Sequence, residues 1–336
     1  MVVPFPPPLS LNLFSDMEIN EMGHGNQTGT SEFFLQGISQ WPEHQHLFFG
    51  LFLCMYLITM AGNVLIFLAI ISEARLHTPM YFFLATLSFA DIGLSSSIVL
   101  KMLHNLHTQL HTISYTGCLT QLYFFLSFGD MDSFLLAVMA YDRYMAICHP
   151  LHYTTAMSPQ LCVLLVSVCW VITNLHALLH TLLMAKLSFC VVGEISHFFC
   201  DISPLLKVSC SSTHLNELMV FVVGGPVMTV PFLCTLVSYI CIVFAILRMP
   251  SSGGGRRKAF STCGSHLSVV CMFYGTIFSV YLCPSSTLPT KDIVASVVYT
   301  VVTPMLNPFI YSLRNQDMKV ALGSLLRGKI FASQLH

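Results

Sequence analysis

Four aspartates stand in stretches that are otherwise almost uncharged: Asp91 in Leu87-Ser88-Phe89-Ala90-Asp91, then Asp130, Asp132 and Asp142 within one apolar run. An ionised carboxylate surrounded by hydrocarbon costs at least a few kcal/mol, so each asks for a partner or a task. Asp130 and Asp132 lie two residues apart, about 200° around a helix, so they point in different directions and one of them is expected to face Asp91. Two carboxylates meeting in a dry core repel unless a cation or a proton lies between them, and hard oxygen ligands suit Na+ or a shared proton. The plainer alternative is a neutral, hydrogen-bonded Asp that only packs.

Other residues invite chemistry less strongly. Asp142-Arg143-Tyr144 closes the third apolar run, where Arg reaches the interface and Asp neutralises it. His197-Phe198-Phe199-Cys200-Asp201 suggests a metal, yet if Cys200 is in a disulfide only His197 and Asp201 remain as ligands, so no firm metal site is expected. His176 and His180, at i and i+4, read as helix-packing residues rather than a metal pair. No Walker loop, HExxH or GxSxG occurs, and an enzyme is not expected.

The elements that carry these residues follow from composition. Of 336 residues 55% are hydrophobic and 9% charged, and the mean hydropathy is +0.74. That is too little polar surface to clothe a soluble body, and lipid must be the solvent. A net charge of -1 offers no field for nucleic acid. Runs long enough to span the bilayer occur near 47–72, 80–102, 118–145, 161–184, 217–247, 259–283 and 292–313, which predicts one all-α membrane domain of seven helices.

Cations set the orientation. Arg75, Arg143, Arg248, Arg256, Arg257, Lys258, Arg314, Lys319, Arg327 and Lys329 fall on one side, against Lys101, Lys186, Lys207 and Lys291 on the other. The first side is cytoplasmic and the N-terminus lies outside. The predicted organisation is an extracellular, largely disordered segment over 1–46, the helical domain over 47–315, and a cytoplasmic amphipathic helix and tail over 316–336. The N-terminal segment lacks the basic start of a signal peptide, so the first span is expected to direct insertion. Asn26-Gln27-Thr28 is a sequon on the outer side, predicting glycosylation at Asn26. In the seventh run Pro308 frees a carbonyl in the helix interior, producing a kink that Asn307 and nearby water are expected to satisfy.

Four strings now carry a family resemblance: Met139 to Cys148 (MAYDRYMAIC), Leu76 to Leu84 (LHTPMYFFL), Lys258 to Leu267 (KAFSTCGSHL) and Pro304 to Asn315 (PMLNPFIYSLRN). Together, in this order on seven spans, they resemble the vertebrate olfactory receptors of the rhodopsin-like, G-protein-coupled class, from about Asn26 to Lys329. The extension before Met17 is long for that family, which makes Met17 an alternative start to Met1.

The resemblance implies roles for individual residues. Asp142 would restrain Arg143 at rest, and Arg143 would move toward Tyr239, Tyr311 and the G protein on activation, with Tyr144, Asn307 and Pro308 in the same machinery. Tyr274 stands where most of the wider class has a switch Trp. Asn63, Asp91, Asp132 and Asn307 would line the interior ion site. The pairings implied are Cys118 with Cys200 and Cys190 with Cys210; four outer-side Cys allow three pairings on their own.

The third span shows an apolar stripe at Leu122, Phe125, Leu126 and Gly129. In the family that face borders a cavity, completed by Val223, Gly224 and Val227, by Ile277, Phe278 and Tyr281, and by Val297 and Thr300, with Asp130 as a further acceptor. Apolar walls with a few hydroxyls suit small volatile odorants. A ligand of about ten heavy atoms would gain roughly 3 to 6 kcal/mol, giving millimolar to tens-of-micromolar affinity. The implied partners are a stimulatory olfactory G protein that raises cyclic AMP and trafficking chaperones, in the plasma membrane of olfactory cilia. The rival readings are an ion or proton channel, a transporter, or an ectopic metabolite sensor; a transporter should show internal repeats, which are not seen.

Overall fold

The computed structural model describes residues 32–36, 44–189, 194–248, 255–281, 289–314 and 316–327; Asn26 and Cys190 lie outside them. The long apolar runs form α1 (Gln45–Ser72), α2 (Pro79–Thr108), α3 (Tyr115–Cys148), α4 (Pro159–Ala185), α5 (His214–Arg248) and α6 (Gly255–Tyr281). Then comes α7, built from Pro289–Val297, a π turn at Val298–Val302, and Thr303–Arg314. The short α8 (Gln316–Leu326) follows. Six of these helices are long and apolar enough to cross a membrane, and α6 contributes a shorter apolar stretch, Cys263–Ser279. The chain is a multi-pass membrane protein with a seven-helix bundle.

Local sequence explains several boundaries. Ser114 and Ser158 cap α3 and α4, accepting from the backbone N–H of Gly117 and Leu161. Pro79 and Pro159 open α2 and α4, where a missing N–H costs nothing. The most buried helix is α3, whereas α1, α4 and α5 turn Leu57, Phe67, Leu175, Val237 and Phe244 outward, as lipid-facing helices do.

The freed carbonyl at the α7 kink is satisfied differently from the expectation. Pro308 cannot donate to Pro304, and the Pro304 carbonyl instead accepts from Asn63 Nδ2 of α1 at 3.1 Å. Asn307 points the other way, toward α2.

The outer side carries a small cap. The strands β1 (Glu32–Leu35), β2 (Thr112–Ser114) and β3 (Glu194–Ile195) form a sheet in the order β2-β1-β3, with β2 antiparallel and β3 parallel to β1. Part of the segment expected to be disordered is therefore ordered. The alternation that buries Phe33 and Leu35 places them against Ile113, Ile195, Leu205 and the Cys118–Cys200 disulfide.

Candidate functional site

Below this cap, a cavity of about 690 Å³ opens between α3, α4, α5, α6 and α7. Of the residues named from sequence, Phe125, Leu126, Gly129, Asp130, Gly224, Ile277 and Phe278 line it. The structure places most of the remaining residues away from the cavity lining. Leu122 lies in the cap cluster with Cys118 and Cys200, above the cavity. Val223 and Val227 are not lining residues because a π turn at Val220–Gly224 adds a residue to one turn of α5, bringing Val220, Gly224 and Met228 inward. A second π turn in α7 does the same, presenting Tyr299; Val297 packs into the main core and Thr300 is buried, its hydroxyl donating to the Ser296 carbonyl. The Tyr281 side chain lies outside the described residues.

The walls are shaped by rings in contact. Phe125 meets Phe199 of the loop at 4.9 Å and Tyr299 at 6.0 Å, and Phe278 meets Phe232 at 4.9 Å. Gly129 is required here, since a Cβ would overlap the Tyr299 hydroxyl.

The polar lining is richer than the sequence suggested. Nδ1 of His176 lies 2.6 Å from Oδ2 of Asp130, both side chains buried, a hydrogen bond that is an ion pair when the imidazole is protonated. The His180 ring stacks edge-on against His176 at 4.6 Å. Both histidines line the cavity rather than merely packing their helix, and Asp201, Lys207 and Glu217 stand toward its outer end. Spacing showed that the two histidines share a face; nothing in it showed that this face meets Asp130.

No group of three or more His, Cys, Asp or Glu able to hold a metal occurs among the described residues. Cys200 is tied to Cys118. His197 is turned toward α7, its Nε2 3.2 Å from Ser296 Oγ, while Asp201 caps the short helix Ile202–Lys207. Burial pushes the His197 imidazole down to about 4, so the ring is neutral. Cys210 is also disulfide-bonded; Cys190, the partner expected for it, lies outside the described residues.

Deeper in the bundle, Asn307 Nδ2 donates to both carboxylate oxygens of Asp91, at 3.0 and 2.9 Å. Of Asp130 and Asp132, it is Asp132 that stands within electrostatic reach of Asp91. Asn63 Oδ1, Asp132 Oδ1 and Asn307 Oδ1 are buried oxygens without a hydrogen-bond partner among the described residues. All three are oxygens, the donor type that a hard monovalent cation prefers.

At the cytoplasmic end, Asp142 accepts a hydrogen bond from Tyr153 and forms no ion pair with Arg143 among the described residues. Arg143 is within electrostatic reach of Tyr239, His266 and Tyr311 as well as of Asp142. The Tyr239 hydroxyl lies 2.6 Å from His266 Nδ1, linking α5 to α6. Tyr274 is 2.7 Å from Ser133, joining α6 to α3 below the cavity, and Tyr144 bonds His149 at the end of α3.

A membrane bundle with seven helices, a loop tied to the third helix, a cavity beneath it and an Asp-Arg-Tyr end on α3 defines a G-protein-coupled receptor. The family model for olfactory receptors matches residues 52–329. The chain belongs to the olfactory receptor family, which is not enzymatic. It is 66% identical over 309 residues to human Olfactory receptor 1N1, covering 92% of this chain and 99% of that protein. It is also 59% identical over 311 residues to human Olfactory receptor 1N2, covering 92% and 98% of the two. Olfactory receptor-like protein I9 of Rattus norvegicus is 57% identical over 315 residues, 94% of this chain and 100% of that protein.

Proposed function

We propose that this receptor binds small, mostly apolar volatile molecules in the cavity of α3 to α7 and, when occupied, activates a stimulatory olfactory G protein, raising cyclic AMP. The observation that carries the reading is the cavity itself: about 690 Å³, walled by Phe125, Leu126, Ile277 and Phe278. It is joined to the cytoplasmic end by the Tyr274–Ser133 and Tyr239–His266 contacts. A cavity of this size accepts one small organic molecule with room to spare, which favours broad, weak tuning.

Signalling then requires only that the ligand fit one packing of α5 and α6 against α3 better than another. Arg143, within electrostatic reach of Tyr239 and Tyr311 and without a close ion pair to Asp142, is the residue that would meet the G protein. Na+ or a shared proton at Asp91, Asp132, Asn307 and Asn63 would stabilise one of the two packings. The remaining roles proposed are glycosylation at Asn26, a Cys190–Cys210 bridge, chaperone-assisted delivery, and residence in the ciliary membrane of olfactory neurons.

The test is cyclic AMP measured across a chemically diverse odorant panel, in cells supplied with the olfactory G protein and a trafficking chaperone. A dose-dependent response lost in Arg143→Ala at equal surface expression is expected. Currents without G protein would overturn the reading in favour of a channel.

A further inference from the structure

The polar wall of the cavity has a definite hydrogen-bonding sense. Asp130 and His176 are both buried, with Nδ1 and Oδ2 2.6 Å apart, so one proton is held between them. A buried pair of this kind is stable when its total charge is zero, since a net charge in a low-dielectric core is heavily penalised. Zero total charge is reached with a strong Nδ1–Oδ2 bond in two ways. Either Asp130 is ionised and both nitrogens of His176 carry hydrogen, or Asp130 is protonated onto Nδ1 and the imidazole hydrogen sits on Nε2. In both, Nε2 bears an N–H; the neutral form that leaves it bare, with the second proton on Oδ1 of Asp130, has only a bond from a neutral imidazole to a neutral acid and gives up the stronger one.

That N–H is unused. His176 is 7% exposed, and its Nε2 has no hydrogen-bond partner among the described residues. It lies beside Gly224 of the α5 π turn, where a Cβ would come 3.5 Å from it, and both residues line the cavity. A buried donor without an acceptor is destabilising, and an incoming acceptor atom removes that cost.

We propose that His176 Nε2–H is the polar anchor of the cavity and that it selects ligands bearing a neutral acceptor oxygen, such as aldehydes, ketones, esters and alcohols, over hydrocarbons of the same skeleton. The assignment rests on the cavity being the ligand site, as proposed above. The aliphatic body of the ligand lies against Phe125, Ile277 and Phe278, and its oxygen reaches the shielded Nε2 through a small displacement of α5 at Gly224. A carboxylate ligand is disfavoured, because it would add a negative charge to a pair already neutral.

Binding to solubilised receptor and cyclic AMP in cells should be measured in parallel for octanal, octan-2-one, octan-1-ol, octanoate and octane. The carbonyl compounds and the alcohol are expected to bind roughly tenfold or more tightly than the alkane. His176→Phe should erase this difference, and His176→Gln, which keeps an N–H donor, should restore part of it. Gly224→Ala fills the space beside Nε2 without disturbing a helix, and should weaken the carbonyl ligands selectively. The infrared C=O stretch of bound octan-2-one should fall in frequency in the wild type and not in His176→Phe. Absence of carbonyl binding, equal binding of the alkane, or a preference that survives His176→Phe would overturn the assignment. Carbonyl binding that follows the pattern with no cyclic AMP response supports the anchor and removes the signalling reading instead.

Discussion

Tyr153, in the short helix after α3, donates a 2.8 Å hydrogen bond to Oδ1 of Asp142. The bond occupies the carboxylate that would otherwise pair with Arg143, the next residue along. Burial and the neighbouring Asp142 charge raise the Tyr153 phenol above its ordinary range, so it remains a donor at every physiological pH. Tyr153→Phe removes the donor and returns Asp142 to Arg143. Basal and agonist-driven cyclic AMP should both fall severalfold at unchanged surface expression, and Asp142→Asn combined with Tyr153→Phe should restore them. Signalling in Tyr153→Phe equal to wild type would show that this bond has no part in holding Arg143 free.

The kink of α7 rests on a neighbour rather than on α7 itself. Asn63 Nδ2 supplies the hydrogen that Pro308 withholds from the Pro304 carbonyl. Asn63→Ala leaves that carbonyl buried and unpaired, at a cost of about 1–3 kcal/mol. A melting temperature several degrees below wild type is expected for the solubilised receptor. Asn63→Ala with Pro308→Ala should recover much of the loss, because an alanine in place of the proline restores the backbone N–H that donates along the helix. Two independent, additive losses would break the link between these residues.

How much of this was legible beforehand differs by level. The bundle was, because hydrocarbon thickness imposes a run length that few other constraints mimic. The stripe Phe125, Leu126 and Gly129 followed from the 3.6-residue period of α3, which is regular there. The inward faces of α5 and α7 did not follow, since a π turn rotates everything beyond it by about 100° and has no composition of its own. Val223, Val227 and Thr300 were named in the unrotated register; Val220, Met228 and Tyr299 occupy the rotated one. The Asp130–His176 pair was hidden for another reason: each residue was visible on its own helix, but helix-to-helix rotation is set by packing across the bundle. Strand β1 was missed because four residues held only by pairing with distant segments carry too short a pattern.

His197 gives the outer cap a dependence on acid. Its imidazole, ordinarily near 6.5, is held down to about 4 by burial between Phe198 and Phe199, with only the Ser296 hydroxyl as a hydrogen-bond partner among the described residues. Between these values the unfolded chain binds the proton and the folded one does not, so folding stability rises with pH across this window and is flat above it. Acidification from neutrality to about pH 4.5 should cost on the order of 2 kcal/mol through this residue. His197→Gln keeps a donor for Ser296 and cannot titrate. The fall in melting temperature on acidification should therefore be shallower in His197→Gln than in wild type, and parallel curves would exclude the assignment.

Tyr299 and Gly129 offer a way to reshape the cavity without touching its polar wall. The Tyr299 ring packs between Phe125 at 6.0 Å and Phe273 at 5.5 Å, and its hydroxyl reaches the bare Cα of Gly129. Gly129→Ala forces the hydroxyl away, so the ring shifts along the cavity wall at a packing cost of about 1–3 kcal/mol. Phe125→Ala has the opposite effect, enlarging the same wall. If these walls contact ligand, Gly129→Ala should lose potency most for the longest agonists and Phe125→Ala most for the shortest, each by about tenfold. Response normalised to surface receptor, measured over a chain-length series, separates this from folding: a uniform loss across the series in both variants would mean that the two positions support the bundle and do not meet the odorant.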